Sequence, residues 1–579
     1  MSLALSDLLH YITMDDIPFT DRGSRIMVLL RDRAFHVQVA ESWSEDHPWT
    51  LVAIELLDAE GVPLDVDIDA LPYRVDIAAG GRDFALGFVD AETLVFRLPA
   101  GRCGLRLTTQ NIPLAMDRRG GVFRPQTEPL LTVAYTTNAA IVHQQVSTND
   151  ADVRVTLSLD AGESSACFTL NITRTPALNR TLPDFEAATE AARARWEAWL
   201  DAAPTVPEAY RAQAAFAWWV LGSNLIRLYG YPQREGMIPS KRGYVGVWNW
   251  DTYFHVIALR HIDPALARDQ IRILLDHQLP NGLIPDVIQD GGPLSHTTDY
   301  GIDADITKPP LTAWAVWKLH EVDPDVAFLD EVYDALVRAQ RWWFAEHDSD
   351  HNGLCEYAHP YSSGLDNSPL FDGGAPLESP DLNAYLILQY DHLAKIALVL
   401  GRDAEAAEWT SSAEALTRRL IDRRWDETAG YFWPWRDGEP IRVRTPVSLM
   451  PLITGRLPSD VARRLVDHLT DPAQFWTRFP IPTVAQDDPH HNPNVMWRGP
   501  VWINVNALLI EGLKRSGFPQ QARDLRRKTL EMMMRQADIF EYYNPQTGEK
   551  PPRAVSTFGW SAALFIDLVL DEAAGAPDG

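Results

Sequence analysis

The chain has 579 residues, 46% of them hydrophobic, with 20 Trp, 17 Tyr and 20 Phe; that is enough apolar material for more than one core and excludes a disordered chain. A formal net charge of -27 excludes the basic footprint on which binding to nucleic acid or an anionic membrane depends, and points to a neutral or cationic partner. Cys103, Cys167 and Cys355 have neither metal-ligand spacing nor an even disulfide count, the N-terminus has no basic, apolar leader, and no segment approaches the ~18 apolar residues of a spanning helix, so the expected setting is reducing and cytoplasmic.

From about Ser24 to Asn171 the apolar residues come in short β-rich bursts such as RIMVLL, FHVQVA, TLVAIELL, TLVFRL and VRVTLSLD, separated by Gly, Asp and Pro. That pattern predicts a β-sandwich over residues 1–181. The Ala/Glu/Arg-rich segment PDFEAATEAARARWEAWLDAAP then has helical spacing and predicts a linking helix within 182–204. Beyond it, periodicity predicts helices near 206–229, 252–260, 263–279, 306–321, 325–347, 379–400, 402–424, 446–454, 458–469, 499–515, 518–537 and 557–571. They tend to pair, one member apolar and rich in small residues, the next more charged, as expected of inner helices covered by an outer ring. The fold class is therefore α+β and multidomain, an N-terminal β-sandwich followed by an (α/α)6 barrel over 205–579.

The segments between these helices are long and aromatic. YVGVWNWDTYF carries Trp250 and Asp251, NVMWRGPVWINVN carries Trp497, Arg498 and Trp502, and STFGWSAALF carries Trp560. Aromatic faces beside carboxylates and amides suit a sugar, whose C–H-rich face stacks while its hydroxyls seek polar partners. YSSGLDNSPLF sets Asp366 among turn-forming residues; by itself such an aspartate reads as a solvated turn former or helix cap.

Taken in order, WNWDTYF, GLDNSP, SPDLNAYL, WRGPVWINVN, EYYNP with TGE, and FGWSAALF resemble glycoside hydrolase family 63, inverting α-glycosidases related to the trehalases. The resemblance runs from about Gly236 to Asp567, and it implies that Asp366 is the general acid and Glu541 the general base. Where a trehalase proper carries a Gln-Trp-Asp-x-Pro signature, this chain has Trp497-Arg498-Gly499-Pro500, which leads away from trehalase. Inverting hydrolysis needs a protonated carboxyl and an ionised one on opposite faces of the sugar, typically ~6.5 to 9.5 Å apart so that a water fits between. Asp366 is then expected in a shielded place and Glu541 in a wetter one. Asp251 and Arg498 are expected to meet sugar hydroxyls, Trp250, Trp497, Trp502 and Trp560 to wall the subsite, and Asn367 to orient Asp366.

DSDHNGLCEYAHP has the oxygen-rich spacing of a calcium loop: Asp348, Asp350, Asn352, the Leu354 carbonyl and Glu356, with Glu378 as a further ligand from ESPDLNAYL. A structural Ca2+ is weighed there against an acidic surface turn; the chemistry itself needs no cofactor. Phosphate-binding, dinucleotide and Gly-x-Ser-x-Gly motifs are missing, and His490-His491 lacks spaced partners for zinc. The leading reading is an exo-acting inverting α-glycosidase, most simply an α-glucosidase, on a small soluble carbohydrate, with no nucleic acid or membrane partner and the oligomeric state open. Hydrolysis of a glucosylglycerate or mannosylglycerate is the alternative enzyme reading, and an inactive carbohydrate-binding protein the alternative outside enzymes. For an anionic aglycone Lys308, Arg242 and Arg444 are available cations.

Overall fold

The computed structural model describes residues 2–41, 50–125, 131–149, 152–175 and 177–575. The chain divides into two compact units, Met1–Ile226 with Ser240–Val245, and Arg227–Pro239 with Gly246–Gly579. Antiparallel strands dominate the first and helices the second, so the protein is a mixed α+β chain.

In the first unit a six-stranded sheet runs in the order Ile26–Arg31, Ala34–Val39, Thr50–Leu57, Arg102–Thr109, Val153–Asp160, Ala140–Thr148. An eight-stranded sheet runs in the order Val66–Leu71, Arg74–Ala79, Arg82–Asp90, Thr93–Leu98, Ala166–Thr173, Thr132–Thr137, Gly120–Arg124, Ile112–Asp117. Alternation sets the buried face: in VRVTLSLD, Val153, Val155, Leu157 and Leu159 are buried while the residues between them are partly or fully exposed. The strand Ala166–Thr173 is instead buried along its whole length. Helix α1 (Phe185–Asp201) packs on the neighbouring strands Arg82–Asp90 and Thr93–Leu98, and its Phe185 packs with Ala85, Val95 and Cys167. Helix α1 starts at Asp184, whose carboxylate accepts from the Ala187 N–H at 2.9 Å, an N-cap. All three cysteines are buried free thiols.

Helix α2 (Arg211–Ser223) is shorter than the 206–229 expected. Past Asn224 the chain turns into a hairpin of Leu225–Leu228 and Tyr231–Met237 around Gly230, where β-prone Ile226, Leu228 and Tyr231 outweigh the helical period.

The second unit carries α3 (Asn249–Ile262), α4 (Pro264–Asp276), α5 (Thr312–Val322), α6 (Val326–Glu346), α7 (Pro380–Val399), α8 (Asp403–Arg424), α9 (Ser459–Thr470), α10 (Ile503–Arg515), α11 (Pro519–Met533) and α12 (Gly559–Gly575). The expected helix over 446–454 is two 3-10 turns, Pro446–Ser448 and Met450–Thr454. Pro451 cannot donate a helical hydrogen bond and Gly455 ends the run in a left-handed conformation, so no α-helix propagates there. Helix α3 packs on α5, α5 on α7, α7 on the Met450–Thr454 turn, that turn on α10, α10 on α12, and α12 back on α3. These six elements form the more buried set; α3, for one, is buried from Asn249 to Leu259. Outside them, α9 and α11 bury one stripe, such as Val461, Ala462, Leu465, Val466 and Leu469. Among the described residues no helix is long and apolar enough to cross a membrane.

The return contact of α12 on α3 has no slack. A Cβ on Gly559 would stand 2.6 Å from Nε2 of the fully buried His255. Gly559→Ala should therefore destabilise the protein by about 1 to 3 kcal/mol, the usual cost of overpacking, measured by urea unfolding against wild type.

Candidate active site

Asp366 stands in a turn built by its neighbours. The helical turn Pro360–Ser363 ends at Gly364 in the left-handed conformation, and Ser368 caps the next turn, Pro369–Phe371. The Ser363 hydroxyl accepts from the Leu365 N–H at 3.0 Å and the Ser368 N–H donates to the Leu365 carbonyl at 2.9 Å, which leaves Asp366 at the apex. Gly364 lies against the Trp250 indole so closely that a Cβ would come within 2.4 Å of the ring.

The partner loop is tied just as firmly. Val501 exchanges backbone hydrogen bonds with Tyr543 at 2.8 and 2.9 Å, and Glu541 pairs its N–H with the Val555 carbonyl at 2.9 Å. Glu541 Oε2 accepts from the Val555 N–H at 3.1 Å. The residue is only 3% exposed, so the wetter setting expected for it is not what surrounds it. The returning backbone of Val555 replaces water there.

Four carboxylates and one ammonium interact. Lys308 Nζ lies 3.0 Å from Asp286 Oδ1 and 3.9 Å from Asp366 Oδ1, and donates to the Tyr361 carbonyl at 2.8 Å. Burial pushes the Asp251 carboxyl well above the usual carboxylate range; Lys308 opposes this, and Glu541 and Asp286 add to it. Asp251 in the first turn of α3 is thus the group that feels both Lys308 and Glu541. Burial also raises Asp286, to about 6, against the pull of Lys308. Asp366 is raised by burial too, with Lys308 and His359 opposing. Lys308 itself is raised: burial works against its charge, but Asp286, Asp366 and Asp251 together prevail. The Oδ1 atom of Asp366 is buried and has no hydrogen-bond partner among the described residues.

All four expected tryptophans come together. Trp497 and Trp502 stack at 3.6 Å with their planes 6° apart, Trp250 meets Trp497 at 6.1 Å, and Trp560 meets Trp250 edge-on at 5.4 Å and Trp502 at 5.5 Å. They are 1 to 4% exposed, so they support the site from behind and can offer a ligand little more than an edge. The Trp560 Nε1–H has no partner among the described residues. Asn367 accepts from the Trp497 N–H at 2.9 Å, and its carbonyl accepts from Arg498 Nε at 3.1 Å. Arg498 also pairs with Asp372. Two of its nitrogens are therefore engaged on either side of the Asp366 turn, at Asn367 and Asp372.

Asp286 and Lys308 were not singled out as site residues in the sequence, and Lys308 was considered only for an aglycone. Their signal is a charge inside an apolar run, LIPDVI and ITKPP, where a solvated turn former has no reason to be.

The loop 348–356 closes on itself instead of forming an oxygen cage. Asp348 accepts from the Gly353 N–H at 3.0 Å, Asp350 from the Asn352 N–H at 3.0 Å, and Glu356 from the Ser349 hydroxyl at 2.8 Å. Asn352 turns its amide nitrogen to Asp350 and Glu378 and its oxygen to the Leu354 N–H. Glu378 is 6% exposed in its side chain and paired with Arg424, and Arg419 donates to the Gly353 carbonyl at 3.1 Å. With two guanidiniums at its border and its oxygens taken, this set does not fit a calcium ion, and among the described residues no group of three His, Cys, Asp or Glu is placed to hold a metal.

Paired carboxyls in an aromatic-backed, buried cluster are the apparatus of glycosidic bond hydrolysis. Residues 244–561 match the family of mannosylglycerate hydrolase MGH1-like glycoside hydrolase domains. The chain belongs to that family, within glycoside hydrolase family 63, and is a glycoside hydrolase. It is 28% identical over 406 residues to the mannosylglycerate hydrolase of Thermus thermophilus, spanning 57% of this chain and 95% of that protein. To the glucosylglycerate hydrolase of Mycolicibacterium hassiacum it is 25% identical over 417 residues, 56% of this chain and 92% of the other. The crystal structure of a family 63 mannosylglycerate hydrolase from a second strain of Thermus thermophilus, in complex with glucose, matches with TM-score 0.53 and 26% identity, over 61% of this chain and 99% of that one. The same enzyme with Tris and D-glycerate matches with TM-score 0.52.

Gly364→Ala should drive the Asp366 turn off Trp250 and lower kcat by at least about tenfold, because a shift near 1 Å at a reacting group is that costly; steady-state kinetics with a melting curve checks it. Adding calcium to chelator-treated protein should leave the melting temperature unchanged; a rise that saturates at one ion per chain would show that the loop reorganises around metal.

Proposed function

We propose that the protein hydrolyses a small α-glycoside of glycerate, glucosylglycerate or mannosylglycerate, from the non-reducing end and with inversion. The observation that carries this reading is one buried charge cluster, in which Lys308 lies 3.9 Å from Asp366 and Asp251 feels both Lys308 and Glu541, in a family whose named members include hydrolases of these two glycosides. A general α-glucosidase, the broader reading, has less support: one relative is named as a probable mannosyl-oligosaccharide glucosidase, and the match covers 35% of its length. In this assignment Asp366 gives its proton to the glycosidic oxygen. Glu541 takes a proton from the water that attacks the anomeric carbon on the opposite face. The circuit of contacts through α3, α5, α7, the Met450–Thr454 turn, α10 and α12 supports an (α/α)6 barrel as the catalytic domain, carried by the unit Arg227–Pro239 with Gly246–Gly579, while residues 205–226 and 240–245, expected in the barrel, group with the first unit; the two sheets of that unit support a β-sandwich over 1–181 followed by the 182–204 helix. Buried free thiols fit a cytoplasmic enzyme.

Burial holds the Asp366 proton to higher pH than an ordinary aspartate would, so the high-pH limb of kcat/KM marks its loss and the low-pH limb the protonation of the base. The test is a screen of glucosylglycerate, mannosylglycerate and α-linked disaccharides, with the released anomer followed by NMR. Release of the β-anomer first, from a glycerate glycoside, is the expected result; initial α-anomer contradicts inversion, and a clear preference for disaccharides contradicts the glycerate assignment. Asp366→Ala and Glu541→Ala should each cut turnover by at least about 10^2 to 10^4-fold while keeping a folded melt.

A further inference from the structure

We infer that Lys308 is a positioning residue shared between two carboxyls, held by Asp286 while Asp366 carries its proton and drawn to the Asp366 carboxylate as that proton leaves. This deepens the assignment of Asp366 as general acid and rests on it. The geometry has three parts. The ammonium is already within reach of both carboxyls, at 3.0 Å from Asp286 and 3.9 Å from Asp366, so a movement of about an ångström changes its partner. Its third contact, to the Tyr361 carbonyl at 2.8 Å, comes from the helical turn that precedes Asp366, and the Tyr361 ring lies 5.7 Å from Nζ. The contact therefore tethers the lysine to the acid's own turn. Asp366 Oδ1, finally, is buried and, like Asp286 Oδ1, has no hydrogen-bond partner among the described residues, so neither carboxyl fixes the ammonium by a directed bond and the nearer ion pair can yield to charge that develops on the other.

A protonated aspartate needs no cation, but its conjugate base in a buried place does. When the proton passes from Asp366 to the glycosidic oxygen, the bond from that oxygen to the anomeric carbon breaks, the glycerate leaves with that oxygen as a neutral hydroxyl and its own carboxylate unchanged, and Asp366 is left negative. Water supplies the new hydroxyl and its proton goes to Glu541. Lys308 neither gains nor loses a proton. It compensates the charge that appears at Asp366, which lowers the barrier to proton donation.

The groups that face Asp366 are Lys308 from the segment before α5, Asp286 from the segment after α4, and His359 and Tyr361 from its own side; Asp251 on α3 acts on Lys308 and Glu541 on Asp251. Burial lowers His359 and so favours its neutral form, which leaves Lys308 as the cation of the cluster. Removing the lysine therefore destabilises the Asp366 carboxylate, and removing Asp286 frees the whole lysine charge for it.

The two substitutions should move the high-pH limb of kcat/KM in opposite directions. Lys308→Met should raise it and Asp286→Asn lower it, each by about 1 to 3 pH units. Lys308→Arg, which keeps the charge, should bring the limb back towards wild type. Lys308→Met should also lose on the order of 10^2-fold in kcat on the glycoside but far less on the matching α-glycosyl fluoride, whose leaving group needs little protonation. Equal losses on both substrates, or limbs that stay put or move together while Asp366→Asn is inactive, would overturn the shared-lysine inference and leave the acid assignment standing. If Asp366→Asn instead retains wild-type turnover, the assignment of the acid is what fails.

Discussion

Burying like charges together is the constraint on which the second unit is organised. Asp251, Asp286 and Glu541 are 3 to 4% exposed, Asp366 keeps 27% of its side chain open, and the chain is strongly acidic overall. Separate carboxylates in such a place would take up protons or draw in water. Lys308 makes the arrangement tenable, and its three contacts explain why the charge stays fixed instead of seeking solvent. A single ammonium cannot neutralise every neighbour at once. Protons must therefore be divided unevenly among the carboxyls, and hydrolysis by an acid and a base needs that unevenness.

The aromatic cluster serves the same end by exclusion. Trp250 at the start of α3, Trp502 just before α10 and Trp560 in the first turn of α12 bring three helix starts into one packed body, with Trp497 stacked on Trp502. The Asp366 turn rests on Trp250 through Gly364 and is held to Trp497 and Arg498 through Asn367. Position is thus passed from rigid helices to a turn that has almost no regular structure of its own. Loops placed by a scaffold in this way can carry reacting groups with helical precision.

Much of this was legible in the sequence. Long apolar helices such as α7 and amphipathic ones such as α9 declare themselves by period, and their ends were expected within a few residues of where they fall. The aromatic motifs marked the tryptophans that meet, and the family resemblance marked Asp366 and Glu541. Local pattern failed where tertiary partners decide. The 446–454 segment has helical spacing but prolines that forbid an α-helix, and Glu541, expected in a wetter place, is closed over by the backbone of Val555. The calcium-like spacing at 348–356 says nothing of Arg424, which arrives from α8 to pair with Glu378. Lys308 and Asp286 escaped for a related reason: an ion pair across a loop leaves no periodic trace.

The seating of α12 on α3 joins the last helix of the second unit to its first. During synthesis, then, the segment bearing Asp251, Asp286, Lys308 and Asp366 leaves the ribosome well before Glu541 and α12 do. Until those arrive the nascent circuit has an open flank, with tryptophans and carboxyls exposed to solvent and to other chains. Long-range closure of this kind is slow and prone to misassociation compared with local pairing. Hydrolytic competence should therefore wait for α12 to seat on α3, however early the Asp366 turn itself forms.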